Sequence, residues 1–353
     1  MTGENDNALD GSRPFVHGMG GEELRAFCAE TGMPAYRSAQ IRHWLYNGLA
    51  ADWDTMRNMP RALRHRLNAS LDITPVALLR QGEDGRETAR KLLFGLRDGE
   101  RIEAALLPAG RRLTVCVSTQ VGCRFHCAFC ASGQAGFVRN LAAGEIVGQV
   151  VAAARFRGGR PDNIVFMGIG EPLDNYEALL KSIRILNEPD GLHIGARRMT
   201  VSTCGMIAGI RRLAAEGLQV ELSVSLHAAD DALRSRLMPV NRKYPLPRLI
   251  ETCREYTART NRIITFEYVL IRDVNDSGPD AARLADLLGA LPCRVNLIPL
   301  SPVAEFEGRA SPPSAAGEFT RVLARRGINA TLRRSRGCAV DAACGQLRIQ
   351  SGD

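Results

Sequence analysis

Cys123, Cys127 and Cys130 stand in the run Gly122-Cys-Arg-Phe-His-Cys-Ala-Phe-Cys130, three thiols spaced three and then two residues apart with no fourth in the same loop. Thiolates bind soft metals, and a structural zinc or a closed iron-sulfur cluster takes four protein ligands. Three thiolates suggest a cluster with one iron left open for a cofactor. The competing reading is a zinc knuckle whose fourth ligand is His126 or a distant residue. His126 lies between two of the cysteines, where reaching the same ion would strain so short a loop.

The elements that must hold this loop are bounded by the chain. Its 353 residues, 45% hydrophobic, suffice for one large domain with an appendage. No apolar run approaches the roughly 20 residues that cross a bilayer, and the polar start lacks the features of a signal peptide. The chain reads as soluble and cytoplasmic, and its ten cysteines, dispersed along a long chain, read as reduced thiols. The net charge of +8 permits a polyanionic partner. Residues 1–72 are near neutral, whereas 320–350 carry seven arginines against the single Asp341. Arg321, Arg325 and Arg326 fit a solvated helix face; Arg333, Arg334 and Arg336 are candidates for phosphate binding. Aromatics at 5% argue against an extended base-stacking platform.

Helical spacing over 21–31 and 38–70 predicts a small helical module, with Ile41, Trp44 and Leu45, then Leu63, Leu67 and Leu71, as apolar stripes. Short apolar stretches at 76–79, 91–95 and 102–107, separated by turn signals, predict an antiparallel meander. Strands then alternate with amphipathic helices: 113–118, 163–167, 199–203, 220–226, 263–270 and 294–298. Six βα units in series imply a parallel sheet wrapped by helices, with chemistry at the C-terminal strand ends, where the cysteine loop falls. The fold class expected is α/β, a partial (β/α)6 barrel with an N-terminal helical accessory domain and a small β extension. The expected division is 1–72 helical accessory, RNA-binding; 73–112 β extension; 113–335 barrel; 336–353 C-terminal segment.

Three cysteines spaced Cys-x3-Cys-x2-Cys after the first strand of such a series resemble the radical S-adenosylmethionine superfamily. The resemblance implies a [4Fe-4S] cluster on Cys123, Cys127 and Cys130, with S-adenosylmethionine on the open iron and a 5'-deoxyadenosyl radical as its product. Met167-Gly-Ile-Gly-Glu-Pro172 is similar to the family's methionine-binding motif: Gly170 lets the backbone approach a ligand and Glu171 can pair with the methionine ammonium. Ser202, Ser225, Leu226, His227 and Asn296 match further cofactor-binding positions. Leu113-Thr-Val-Cys116, Ser225-Leu-His-Ala228 and Asp341-Ala-Ala-Cys344-Gly-Gln-Leu347 closely resemble radical methyltransferases that modify an adenosine of large-subunit ribosomal RNA at carbon 2, and relatives acting at carbon 8.

That resemblance runs from about residue 36 to Leu347. It implies that Cys344 takes a methyl group from one S-adenosylmethionine and that a second, cleaved with an electron from an external one-electron reductant, activates that methyl for addition to the adenine. Cys116 then helps remove the carbon 2 proton and forms a disulfide with Cys344, which resolves the transient protein-RNA tether. Alternation of Thr114, Cys116 and Ser118 with Val115 and Val117 puts Cys116 on the more polar strand face. Glu103 corresponds to a family proton acceptor, its competing reading being a solvated strand glutamate. The expected substrate is 23S ribosomal RNA methylated at carbon 2, with transfer RNA as a second substrate. The alternatives are a carbon 8 methyltransferase and a zinc-stabilised RNA-binding protein without catalysis. Cys338 departs from the pattern and reads as a small apolar filler, and Cys28, Cys204, Cys253 and Cys293 read as packing residues.

Overall fold

The computed structural model describes residues 12–83 and 89–333. Helices α1 (Gly21–Glu30), α2 (Tyr36–Tyr46) and α3 (Arg61–Ser70) form the N-terminal module. Ile41, Leu45, Leu67 and Leu71 are buried, as the stripes require. The single helical stretch expected over 38–70 is in fact two helices, because residues 47–60 turn. Gly48 N–H bonds back to His43 O at 2.9 Å, Thr55 N–H donates to Asp52 Oδ1 at 2.7 Å, and Pro60 caps α3. Proline lacks the amide that a helix running through it would need.

The module is clamped to the rest of the chain. Arg42 is 1% exposed and pairs with Glu188 and, at 2.9 Å, with Asp190. Glu188 also accepts from Gly21 N–H at the start of α1 (3.1 Å), where helix-end donors lack partners of their own. Arg155 donates to the carbonyls of Leu49 and Ala50 at 2.9 and 2.6 Å.

Strands β1 (Ala77–Glu83), β2 (Arg90–Gly95), β3 (Arg101–Ala109) and β4 (Arg112–Cys116) form the expected meander, and β4 carries it directly into the main sheet. After β4 come a short hairpin of β5 (Gln120–Gly122) and β6 (Phe137–Asn140), which brackets α4 (Ala131–Gln134), and then α5 (Ala143–Arg157). The repeat continues through β7 (Asn163–Phe166), α6 (Tyr176–Asn187), β8 (Met199–Thr203), α7 (Ile207–Ala215), β9 (Glu221–Ser225) and the paired α8 (Asp231–Leu237) and α9 (Leu246–Thr260). It ends with β10 (Ile264–Leu270), α10 (Gly278–Leu288), β11 (Cys293–Pro299), α11 (Pro313–Arg325) and β12 (Asn329–Leu332).

The ten-stranded sheet runs β1-β2-β3-β4-β7-β8-β9-β10-β11-β12, parallel from β4 onward. The sequence predicts six of those parallel strands and misses β12. Asn-Ala-Thr-Leu does alternate, but four residues ending in a single large apolar side chain are too short a run to stand out from a loop, and they are exposed or half-buried. The α/β barrel-like architecture with a helical N-terminal region is otherwise as expected.

Each parallel strand has two unlike faces. Val115, Ile164, Val201, Leu222, Val224, Phe266 and Leu297 are fully buried in the core beneath the helices, each contributing about 1.5–3 kcal/mol. The alternate positions, Thr200, Ser202, Ser223, Ser225, Glu267 and Asn296, face the concave side and are polar. Strand register places Ser225 beside Glu267 and Glu267 beside Asn296 in one row across the sheet. Apolar burial on one face therefore pays for a polar interior on the other. Among the described residues no helix is long and apolar enough to cross a membrane.

Candidate active site

The cysteine loop is built by backbone constraint before any metal chemistry. Gly122 ends β5 at φ +71°, and a Cβ there would lie 1.8 Å from Gly136 O. Only glycine fits, and the next amide, Cys123 N–H, donates to Gly136 O at 2.7 Å. Ala128 N–H donates to Leu237 O at 2.9 Å, tying the loop to α8. His126, at φ +48°, is exposed and lies outside the cavity lining. The zinc reading that recruits His126 therefore finds no support in the loop's geometry.

A cavity of ≈ 160 Å³ opens at the C-terminal strand ends. Its wall includes Cys123, Cys127 and Cys130, together with Gly170, Glu171, Ser202, Ser225 and His227 from the strand ends. Burial pushes the Cys123 thiol up to about 12 and Cys127 well above its ordinary value, with the neighbouring thiols adding to both. Such thiols stay protonated until a metal displaces their protons. Among the described residues no three His, Cys, Asp or Glu side chains converge as ligands of one ion do. A cluster asks for something else, since each thiolate takes a different iron.

Gly170, at φ +104°, packs so tightly that a Cβ would meet the Gln120 side chain at 2.6 Å. Gln120 accepts from Glu171 N–H at 2.8 Å and donates to Asp174 and Asn140, which locks this turn against the β5-β6 hairpin. The Glu171 carboxyl is 4% exposed and accepts from Leu173 N–H at 3.1 Å and Cys204 N–H at 2.7 Å. Desolvation raises its pKa, while these donors oppose the rise. Two backbone donors, joined by the side chains of Thr203 and Cys204, thus orient the carboxyl at the cavity wall.

His227 sits at φ +59°, its Nδ1 accepting from Val269 N–H at 3.0 Å and its ring edge-on to Phe129. Burial, and then the Arg234 charge, lower its pKa to about 3, so the ring is neutral with Nε2 as its donor nitrogen. Leu226 is fully buried in the helix-side core and lies outside the cavity lining between Ser225 and His227, which are in it. Asn296 lies on the concave face outside the cavity lining and donates to Glu267 Oε1 at 3.0 Å. Cys116 (7% exposed) packs with Ala105 and Ile169 beside the cavity, sharing the neighbour Met167 with it. Glu103 is 1% exposed and paired with Lys91 at 2.9 Å, so it is not the solvated glutamate of the competing reading. Arg333 lines the cavity 3.6 Å from Glu267. Arg334, Arg336, Cys338 and Cys344 lie outside the described residues.

Sequence reasoning passes over three residues here. Glu267 is 5% exposed and accepts from Ser223 and Asn296 on Oε1; among the described residues its buried Oε2 has no hydrogen-bond donor and lies 3.6 Å from the Arg333 guanidinium. A carboxylate in the strand Ile-Thr-Phe-Glu-Tyr-Val-Leu was the legible signal. Cys204, read as packing, lines the same cavity as the three loop cysteines. Arg234 is wholly buried on α8 and donates to the carbonyls of Leu226 (3.1 Å), Cys204 (2.8 Å) and Ser225 (3.0 Å), and to Asn241 Oδ1 (2.8 Å). A polar cavity with three thiols, a buried carboxyl and a second carboxylate oxygen that accepts no hydrogen bond among the described residues fits a cluster and a zwitterionic cofactor with hydroxyl donors.

Comparison with known proteins agrees. Residues 117–285 match the radical SAM superfamily, and residues 16–73 match the ribosomal RNA large subunit methyltransferase N-terminal domain. The chain is 46% identical over 348 residues to the probable dual-specificity RNA methyltransferase RlmN of Moorella thermoacetica, covering 96% of this chain and 98% of that one. It is 45% identical to the protein of the same description from Geobacillus kaustophilus, covering 96% and 93%. A crystal structure of a radical SAM methyltransferase from Sphaerobacter thermophilus superposes with a TM-score of 0.93 at 48% identity, covering 95% of this chain and 99% of that one. With the three-thiol loop at the mouth of a parallel barrel, these similarities establish that the chain belongs to the RlmN family of radical SAM RNA methyltransferases, which work with a [4Fe-4S] cluster and S-adenosylmethionine.

Proposed function

We propose that this chain methylates carbon 2 of an adenosine in 23S ribosomal RNA, and of transfer RNA as a second substrate, with Cys344 as methyl carrier and Cys116 as resolving thiol. The observation that carries the reading is the position of Cys116. It lies on the concave face of β4, in register with Ala105 and Val165, one strand-end away from the cysteine loop. When bound, the cluster and its cofactor supply the methyl group and the one-electron chemistry that a non-nucleophilic carbon requires.

The chain's residues do the rest. Cys123, Cys127 and Cys130 hold the cluster, while Gly170, Glu171, Ser202, Ser225, the Leu226 backbone, His227 and Asn296 orient the cofactor at the strand ends. The polar concave face admits an unstacked adenine, as enzymes acting on a base in RNA require. The Cys116 thiolate takes the carbon 2 proton. Once the adduct has given its unpaired electron back to the one-electron carrier, the Cys116 sulfur attacks the Cys344 sulfur. The sulfur-sulfur bond forms as the carbon-sulfur bond of the tether breaks, and the former methylene carbon keeps that electron pair and takes the proton Cys116 releases, becoming the methyl group. Glu103, held by Lys91 on the neighbouring strand, is the further proton acceptor at this edge.

Nucleoside analysis by mass spectrometry of RNA treated with anaerobically reconstituted enzyme tests the reading. It expects 2-methyladenosine, and 8-methyladenosine overturns the regiochemistry. Cys344→Ala should transfer no methyl to RNA, Cys116→Ala should accumulate a covalent protein-RNA adduct, and Cys127→Ala should lose the brown iron-sulfur absorbance.

A further inference from the structure

A buried charge is costly unless an opposite charge answers it. Arg234 is 0% exposed, yet no carboxylate among the described residues forms an ion pair with it. Its hydrogen bonds go to neutral oxygens: the carbonyls of Leu226, Cys204, Ser225 and, at 3.5 Å, Tyr244, and the amide oxygen of Asn241. Asp231, the acid whose field reaches it, is exposed at the start of α8 and bonds instead to Asn241 and to Leu246 N–H.

What the guanidinium holds is a wall of the cysteine cavity: it donates at 2.8 Å to the carbonyl of Cys204, which lines the same cavity as Cys123, Cys127 and Cys130, and its charge acts on the Cys127 thiol. On the same helix, Leu233 and Leu237 pack with Phe129, Cys204 and Cys127, and Leu237 O accepts from Ala128 N–H within the loop. Arginine remains charged in any protein interior. The buried cation therefore stands behind the cavity wall that Cys204 shares with the three loop thiols, which together become the largest negative group in the site when they take a cluster.

We propose that Arg234 is the counter-charge of the cluster: a positioning residue that fixes the ends of β8 and β9 through their carbonyls and raises the cluster's reduction potential. This rests on the assignment of Cys123, Cys127 and Cys130 as the ligands. A [4Fe-4S] core in its 2+ state with three thiolates carries a net charge of −1. One electron from an external one-electron donor takes it to −2 with no bond broken and no proton moved. A fixed cation stabilises the second state more than the first, because attraction scales with the charge it meets.

The test is a redox titration of reconstituted holoenzyme at low ionic strength, followed by electron paramagnetic resonance, with dithionite as donor. Arg234→Gln should keep its iron and sulfide content, while its reduced-to-oxidised ratio at a fixed poise falls about tenfold, equal to about 59 mV for one electron. Arg234→Lys, which keeps the charge and loses the fork, should stay nearer to wild type in potential even if it unfolds at a lower temperature. Asp231→Asn removes the opposing field and should shift the potential upward by a smaller step.

A Gln variant that titrates like wild type, or Gln and Lys variants displaced equally, overturns the proposal. Should the Gln variant not fold, the Asp231→Asn titration decides, and no upward shift there is equally fatal. Wild-type protein that binds no cluster removes the ligand assignment itself, an outcome distinguished by its iron content.

Discussion

His17 is 1% exposed, and neither ring nitrogen has a hydrogen-bond partner among the described residues. Burial, and then the Arg155 charge, hold its pKa at about 3; His227 is held at about 3 by burial and Arg234. Both imidazoles titrate near 6.5 in the unfolded chain. Between pH 6.5 and about 3 the unfolded state therefore binds more protons, and stability falls as pH falls, by about 1.4 kcal/mol per unit for each ring. Glu171, raised by burial, works in the opposite sense. His17→Leu is expected to leave the pH 7 unfolding temperature unchanged or higher, since it removes a buried group with no partner. It should also flatten the acid side of a plot of unfolding temperature against pH, and an unchanged acid slope would refute the account.

The β5-β6 hairpin closes the cysteine loop, and Gly122 is its narrowest point. Gly122→Ala should lower the iron bound after reconstitution several-fold while the far-ultraviolet circular dichroism stays that of the wild type, because the strain is local to the hairpin. The same hairpin shows what the sequence could and could not convey. All six expected parallel strands begin and end within about two residues of those observed, because their helix-side positions are apolar and their concave positions mostly polar; beyond β4 the chain leaves the strand and continues toward the loop. The loop cysteines, Glu171 and the Ser225-Leu226-His227 turn were legible for the same reason: they fall where strand periodicity stops. β12 was not, since two alternations in four residues are too short a pattern to mark a strand, and neither was the break of 47–60, where helical spacing persists through residues that turn. Arg234 and Cys204 gave no local signal because their roles arise only when α8 packs against the ends of β8 and β9.

For the molecule as a whole, charge should govern encounter with RNA. Binding of an rRNA fragment to the holoenzyme should weaken as salt rises, and Arg334→Ala with Arg336→Ala should reduce the slope of log affinity against log salt by up to about two. Arg333→Ala should change it less, because that guanidinium answers Glu267 in the cavity wall; an equal loss from Arg333 would contradict this division. The same residue fixes the route of the chain. Its backbone N–H donates to Leu297 O at 2.8 Å and its side chain lies at the cavity, so the polypeptide is pinned there eleven residues before Cys344. Eleven residues span at most about 40 Å. Covalent connection alone therefore keeps Cys344 within that reach of Arg333, and a group joined to its site by the chain meets it at an effective concentration that the chain sets. The proposed carrier thiol is thus delivered to the cavity at a concentration that does not fall however dilute the enzyme.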